Sequence, residues 1–486
     1  MHPSLKGSTA LIVHTPEKKW PRSSGLGIGA RRDGRGFRGP LSRAAASLII
    51  LSSILWVACP LQIQRPPNIV LILVDTLRAD HLGSYGYHRP TSPNLDRFAA
   101  ENLKFSRAIA ASPWTSPSVA SIFSGLYPSA HGVADYTGKG KSNQISRYAS
   151  VLSDEILTLA EALQSSGYAT SAVIGNPWIS ESLGFAQGFD HFVTLNRRPA
   201  AEVSVAGLEL IAKASEPYFL YLHYMDPHEP YRIAQSETTL AGGIDPPWGW
   251  SYPKDVLPEI AKYDRAIRSL DAEIGALFGA LQKQGSWLET VVVFVGDHGQ
   301  QFREHGAHGH GYTVHTEETH VPLFIKAPGL SGEVETTVST IDLYATLLDF
   351  ANLEIPKRVQ ALSLRDNTGI EERARRGTLS EGIFRRRGPN RKAFVSATGL
   401  RLVLDFPEVA AGTREAFTQH QSLAGIYDPV SDPFEQRNLR AHPETESLLR
   451  SFYQLYESSE RSAVVSDRVL LDDQTRKQLE ALGYAR

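Results

Sequence analysis

Asp75, Asp226, Asp297 and His298 stand where long apolar runs stop. NIVLILVD (68–75) is apolar at nearly every position and ends on Asp75; VVVFVGDHG (291–299) repeats the pattern and ends on Asp297, His298 and Gly299. YFLYLHYMDPH (218–228) ends on Asp226 and His228. One strand-terminal Asp is ordinary turn or cap chemistry. Several acids and imidazoles gathered at one sheet edge are different, because like charges brought together raise the energy unless a cation neutralises them. Oxygen ligands with one imidazole suit Ca²⁺, Mg²⁺ or Mn²⁺, and Zn²⁺ is a further option. Cys59 is the single cysteine, which excludes a cysteine-ligated zinc site and an internal disulfide framework.

A hydroxyl stands in a second conspicuous place. In SPWTSPSVASIFSG (112–125), Val119, Ile122, Phe123 and Leu126 follow the spacing of a buried helix face. Pro117 suits a first helical position and Gly125 a helix end. Thr115 and Ser116 therefore sit at or just before a helix N-terminus, whose free N–H groups attract an anion. Thr115 is either a cap or a nucleophile beside that anion site. A third cluster spans 298–320: His298, His305, His308, His310, His315 and His320, interleaved with Glu304, Glu317 and Glu318. Such a tract is either a solvated loop or adventitious metal binder, or a loop whose Gly306, Gly309 and Gly311 allow turns that aim His308 or His310 back at the strand ends. An imidazole there can bind a tetrahedral anion or protonate a leaving oxygen.

The elements that must hold these residues read as α/β. ATSAVIG (169–175) joins the three runs above as a strand, and near-continuous apolar strands predict a mostly parallel sheet covered on both faces. SDEILTLAEALQSSG (153–167) predicts an amphipathic helix with Ser153 as cap and Gly167 past its end. Residues 258–285 predict a longer one, striped by Ile260, Ile267, Leu270, Ile274, Leu277 and Leu281. Ligands of open α/β sheets bind beyond the carboxyl ends of the strands, where Asp75, Asp226, His228, Asp297 and His298 would gather.

With 486 residues, 42% of them hydrophobic and 21% charged, the chain can bury a large core with a smaller appended domain. A formal net charge of −2 argues against a nucleic-acid partner. Residues 1–43 carry Arg31, Arg32, Arg35, Arg38 and Arg43 among Gly, Pro and Ser, and predict a disordered basic arm. AAASLIILSSILWVACPLQIQ (44–64) has no charge. Its strongly apolar part, 44–58, falls short of the ~20 residues of a membrane span, which favours an export signal; the run to Gln64 keeps a signal anchor open. WVAC (56–59) resembles a bacterial lipobox, with Trp56 where an aliphatic residue is usual, so Cys59 is a candidate for lipidation. The basic flank would stay inside and the remainder face outward, which predicts a bacterial envelope or periplasmic protein attached to the membrane.

VLILVDTLRADHLGSYGYHRPTSPNLDRFAAE, PWTSPSVASIFSGLYPSAHGV, HYMDPHEPY, VGDHGQQFREHG and GHGYTVHTEETHVPLFIKAPG resemble, in order and spacing, the sulfatase family of the alkaline-phosphatase superfamily. STIDLYATLLDFANL (339–353) and IYDPVSDPFEQRNL (426–439) resemble its later signatures, so the likeness covers about 67–440. The resemblance implies a large mixed, mostly parallel sheet sandwiched by helices, with a smaller C-terminal α+β subdomain. It divides the chain into a catalytic domain at 65–375 and a C-terminal subdomain and tail at 376–486. It implies one divalent metal ion held by Asp75, Thr76, Thr115, Asp297 and His298, with Thr115 as nucleophile and His228 and His310 on the substrate anion.

Two departures qualify it. Family members that cleave sulfate through formylglycine carry Cys or Ser in a C/S-x-P-S-R pattern, whereas this chain reads Thr115-Ser116-Pro117-Ser118-Val119. Threonine cannot become that aldehyde, so formylglycine is not expected. Thr76 replaces the second acid of the usual Asp-Asp pair. Both changes point toward relatives that use an unmodified threonine on phosphate or phosphonate esters. The expected activity is hydrolysis of a sulfate, phosphate or phosphonate ester on a small molecule, glycan or lipid. The alternatives are transfer of a phospho-group to a lipid or glycan, and a non-catalytic binder of sulfated or phosphorylated glycans. The basic stretch 371–392 could border an anionic substrate, but such a run reads first as a solvated surface.

Overall fold

The apolar runs fold as strands of one sheet: β1 (Ile69–Val74), β2 (Leu103–Phe105), β3 (Ala169–Ile174), β4 (His191–Thr194), β5 (Tyr218–Tyr224), β6 (Val291–Gly296), β7 (Leu323–Lys326) and β8 (Gly332–Val334). The computed structural model describes residues 65–486 apart from 134–147, 235–239, 241–242, 245–250, 366–368, 383–389, 407–421 and 482–486. The basic arm 1–43, the apolar segment 44–64 with Cys59, and part of the basic stretch 371–392 lie outside the described residues. Among the described residues no helix is long and apolar enough to cross a membrane.

The order across the sheet is β8-β2-β7-β6-β1-β5-β3-β4. Strands β6, β1, β5, β3 and β4 run parallel, while β7 is antiparallel to both neighbours, so the sheet is mixed and mostly parallel. Alternate residues of β1 enter two separate cores: Ile69, Leu71 and Leu73 on one face, Val70, Ile72 and Val74 on the other. That is why its apolar run has no polar alternation. Register does the rest. Val74 pairs with Gly296 of β6 and with Tyr224 of β5, so Asp75 and Asp297 leave the sheet side by side.

Helices cover both faces. α1 (Thr115–Ser124) is buried along its whole length, with Val119, Ile122 and Phe123 in the first core. α2 (Leu159–Ser165) is shorter than predicted, and its cap is Thr158 rather than Ser153. Thr158 and Glu161 form a reciprocal capping box, which satisfies two terminal N–H groups at once and outcompetes the lone Ser153. α3 (Ala200–Ile211) follows β4, and α4 (Leu257–Lys283) lays its predicted stripe, Ile260 to Leu281, into the second core.

Beyond the main sheet lies a smaller antiparallel one, β9 (Thr378–Gly382), β10 (Asn390–Val395), β11 (Arg401–Phe406) and β12 (Ser422–Tyr427), in sequential order. α5 (Thr445–Arg461) packs Phe452 and Tyr456 beside Phe406 of β11.

Gly125 ends α1 with φ +67°, a left-handed conformation that favours glycine. A Cβ there would also come 2.9 Å from Tyr344 and 3.2 Å from Ala361. Gly125→Ala should therefore lower unfolding free energy by about 1–3 kcal/mol through strain and overpacking. Urea denaturation measures this, and a wild-type midpoint would show that the end of α1 is not constrained in this way.

Candidate active site

Asp75, Asp297 and His298 meet at the carboxyl ends of β1 and β6, with ligand atoms all within 4.8 Å of one another. All three are fully buried. Each carboxylate has one oxygen engaged and one left over. Asp75 Oδ2 accepts from Asn176 Nδ2 (2.6 Å) and faces His223 Nε2 (3.5 Å). Asp297 Oδ1 accepts from the backbone N–H groups of Thr76 (3.1 Å) and His298 (2.7 Å). Asp75 Oδ1 and Asp297 Oδ2 have no hydrogen-bond partner. Both lie near His298 Nε2, at 3.8 and 3.5 Å.

The tautomer of His298 follows from its other nitrogen. Nδ1 lies 2.9 Å from the Gly299 carbonyl, which only accepts, so Nδ1 carries the proton and Nε2 presents a lone pair. Burial lowers the pKa of His298 to about 4, which keeps the ring neutral. Two carboxylate oxygens without a hydrogen-bond partner thus face the lone pair of His298. Asp297 shows the electrostatic result, since burial and then the charge of Asp75 push its carboxyl well above the usual range. Burial pushes Asp75 the same way, but the His223 hydrogen bond and the nearby His228 and His298 outweigh it and hold it low. Two carboxylate oxygens and an imidazole lone pair fit a divalent cation.

Thr115 is the first residue of α1, and Trp114 occupies the cap position without a side-chain cap bond. The cap reading therefore fails. Its Oγ1 instead lies 3.2 Å from His298 Nε2, 3.4 Å from Asp75 Oδ2 and 3.4 Å from Asn176 Nδ2. Neighbouring hydroxyls are spent elsewhere: Ser118 donates to the Asp297 carbonyl, and Ser112 to that of Glu381. Thr76 sits between the acids but turns its hydroxyl to the Asp75 carbonyl (2.7 Å); its N–H is what reaches Asp297. Val119, at the arginine position of the C/S-x-P-S-R pattern, is buried in the core.

His310 and His228 complete the cluster. The His310 ring is 4.6 Å from that of His298 and 5.1 Å from that of His228, whose Nδ1 donates to the Glu229 carbonyl. His308 packs 5.9 Å from Phe302 instead of joining them. The remaining histidines are structural rather than solvated: His305 pairs with Glu317, His315 with Glu435, and His320 with the Ser106 carbonyl. Asp226 accepts from the Ala200 N–H (3.2 Å) at the start of α3, outside the metal-type cluster.

Two residues of the site were not singled out from sequence. Asn176 follows β3 and reads as a loop residue; its signal is its place at a strand end. His223 lies inside an apolar strand and reads as core. A carboxylate can only accept, so His223 Nε2–H donates to Asp75 and Tyr221 Oη donates to its Nδ1 (2.9 Å).

A family model described as Sulfatase matches residues 67–353. The arylsulfatase of Clostridium perfringens is 26% identical over 392 residues, 63% of this chain and 79% of that protein. The ulvan-active sulfatase of Formosa agariphila is 26% identical over 432 residues, 79% of this chain and 78% of that protein. Among solved structures, the phosphonate monoester hydrolase of Agrobacterium radiobacter superposes with a TM-score of 0.60 at 18% identity, covering 82% of this chain and 96% of that one.

The loop carrying His310 is tied down by a titratable pair. His305 Nδ1 lies 2.7 Å from Glu317 Oε1, and its ring stacks on His315 at 3.8 Å. Burial alone would lower the His305 pKa, but the charge and hydrogen bond of Glu317, with Glu435 behind, raise it to about 9. The folded value stands above the ordinary ~6.5. Its stabilisation is therefore fully present below about pH 6.5 and lost as pH rises through about 9. Unfolding free energy should decline across that window, and Glu317→Gln should flatten the decline; a level wild-type curve would refute the coupling.

Proposed function

This chain belongs to the sulfatase family, and from that premise we propose that it is a metal-dependent hydrolase of a sulfate, phosphate or phosphonate ester, with Thr115 as its nucleophile. The observation that carries the reading is the position of Thr115 Oγ1 against His298 Nε2 and Asp75 Oδ2, with no cap role competing for it. Asp75, Asp297 and His298 would hold the metal, with Thr115 Oγ1 beside them. When bound, such an ion lowers the pKa of a neighbouring hydroxyl and neutralises charge on the transferred group.

The chain's own groups account for the rest. Asn176 Nδ2 reaches both Asp75 Oδ2 and Thr115 Oγ1, and a donor on Oγ1 favours its deprotonated form. The first N–H groups of α1 have no intrahelical acceptor, so they and the helix dipole attract the anionic group to Thr115. His228 and His310 flank the same place, and in the imidazolium form each offers an N–H to its outer oxygens. Thr115 Oγ1, its proton given up to solvent, bonds to phosphorus or sulfur as the ester oxygen departs with its electron pair and takes a proton from the imidazolium form of His228 or His310. Water then attacks the same atom, the bond to Thr115 breaks with its electron pair and a proton returning to Oγ1, and the sulfate, phosphate or phosphonate is released. The unmodified threonine favours phosphorus esters, because hydrolysis through formylglycine is closed to it.

The apolar stretch 44–64 behind an arginine-rich arm supports export, with attachment to the membrane through that stretch.

Thr115→Ala should lower kcat by about 10²-fold or more on every ester the wild type cleaves, while Tm and metal content stay near wild type. Intact-mass analysis of acid-quenched wild type should show an adduct localised to Thr115. Wild-type turnover by Thr115→Ala would overturn the assignment. Asp297→Asn should instead lose the metal, read by elemental analysis after dialysis; full metal occupancy in that variant would remove Asp297 from the ligand set.

A further inference from the structure

The turn after β5 holds His228 in a conformation that one of its residues does not favour. Backbone bonds close the turn: the His228 N–H on the Met225 carbonyl (3.0 Å), the Tyr231 N–H on the His228 carbonyl (2.9 Å) and the Arg232 N–H on the Asp226 carbonyl (2.8 Å). Tyr231 completes it at φ +37°, in the left-handed region, where a bulky side chain costs about 1–3 kcal/mol. Such a conformation persists only where the surroundings over-determine it. For Tyr231 the surroundings are a ring and an amide. Its side chain is buried in the second core, edge-on to Tyr263 of α4 at 6.0 Å. Its Oη accepts from Gln300 Nε2 (2.6 Å). Gln300 is itself buried, just beyond His298, and its carbonyl accepts from Arg78 Nη1 (2.8 Å). The bond between Tyr231 and Gln300 therefore crosses from the turn that carries His228 to the strand end that carries Asp297 and His298.

We propose that Tyr231, through its bond to Gln300, is a positioning residue for His228: it sets the place of that imidazole relative to Asp297 and His298. The inference rests on the hydrolase reading above, in which His228 meets the transferred group, and adds to it the pair that fixes the spacing across the site. A turn closed only by its own backbone bonds can swing as a unit, whereas a tether to the opposite strand end fixes the distance. The spacing matters because a hydrogen bond to the anion weakens steeply as its length and angle depart from the optimum. Tyr263 strengthens the link, since the ring that packs on Tyr231 also donates its Oη to the Thr76 carbonyl (2.6 Å), so the His228 turn and the Thr76 turn rest on one side chain. Tyr231 also lines a cavity of ≈ 320 Å³ beside His228, so its direct contact with substrate is the alternative to be separated.

The probe is inorganic phosphate, titrated into the metal-loaded chain in a calorimeter. Tyr231→Phe deletes one hydroxyl and should weaken phosphate binding roughly three- to tenfold, with metal content near wild type. Gln300→Leu should do the same, and the two together should lose no more than either alone. In a His228→Ala background Tyr231→Phe should change the affinity less than about twofold, because the residue it positions is gone. Where His228→Ala binds phosphate too weakly to titrate, His228→Asn, which keeps an N–H donor, serves as the background. Wild-type affinity in Tyr231→Phe, or an equal loss with and without His228, overturns the positioning role; the second result would assign Tyr231 a contact or a structural part of its own. A wild type that binds no phosphate overturns it as well. A wild type that binds phosphate but cleaves no ester would sink the hydrolase reading and leave this binding comparison standing.

Discussion

Two carboxylates emerging side by side from adjacent parallel strands are the constraint around which this structure is arranged. The register that pairs Val74 with Gly296 leaves Asp75 and Asp297 no separation. At an effective dielectric near 20, two unit charges about 4 Å apart repel by roughly 4 kcal/mol, a large share of the ~5–15 kcal/mol by which a domain is stable. The surroundings answer with donors: Asn176 and His223 on Asp75, and two backbone N–H groups on Asp297. They satisfy one oxygen of each acid and leave the other turned toward the His298 lone pair. Donors confined to one side of each carboxylate make sense when the opposite side faces a cation.

The geometry of that side is maintained by residues that never touch it. Thr76 adopts φ +56°, a left-handed conformation costly for a β-branched residue, about 1–3 kcal/mol. Tyr263 Oη donates to its carbonyl (2.6 Å) and accepts the Arg78 N–H (2.9 Å), which clamps the strained turn and keeps the Thr76 N–H on Asp297. On the opposite wall, buried Glu318 accepts from the N–H groups of Gly311 (2.7 Å) and Tyr312 (3.1 Å), fixing the turn that presents His310. Glu435 reaches in from beyond β12 to pair with His315 and with Arg401 of β11 (2.7 Å). The C-terminal sheet thereby braces the histidine loop as well as adding a layer.

What the sequence disclosed and what it concealed divide along a physical line. Strand-end acids were legible because a fully buried parallel strand is an unbroken apolar run, so its first polar residue marks where the chain leaves the core. Thr115 was legible as a residue at a helix mouth, but cap and nucleophile look alike until the cap position is assigned to Trp114. His223 was hidden by its setting: one imidazole in YFLYLHY reads as core until register places it against Asp75. Asn176 was hidden because loop asparagines are common. In the 298–320 tract composition announced importance without allocating roles, and only the turns at Gly309 and Gly311 separate His310, at the site, from His308, against Phe302. Local rules also compete, as at α2, where a reciprocal box at Thr158 defeated a single serine.

The type of residue at position 115 then carries an argument of its own. A threonine side chain is restricted at χ1 by its branched Cβ, so a buried one holds its hydroxyl in a narrow range of directions. Here that direction is toward His298, Asp75 and Asn176, and the side chain has no exposed surface to escape to. A serine would reach the same atoms with more freedom and lose more entropy in doing so. Val119, one helical turn further, packs among aliphatic side chains where the C/S-x-P-S-R pattern places an arginine. That position serves the core, so no guanidinium from α1 enters the site to support an aldehyde. Packing thus decides both positions: it aims the hydroxyl at 115 and keeps the side chain at 119 in the core.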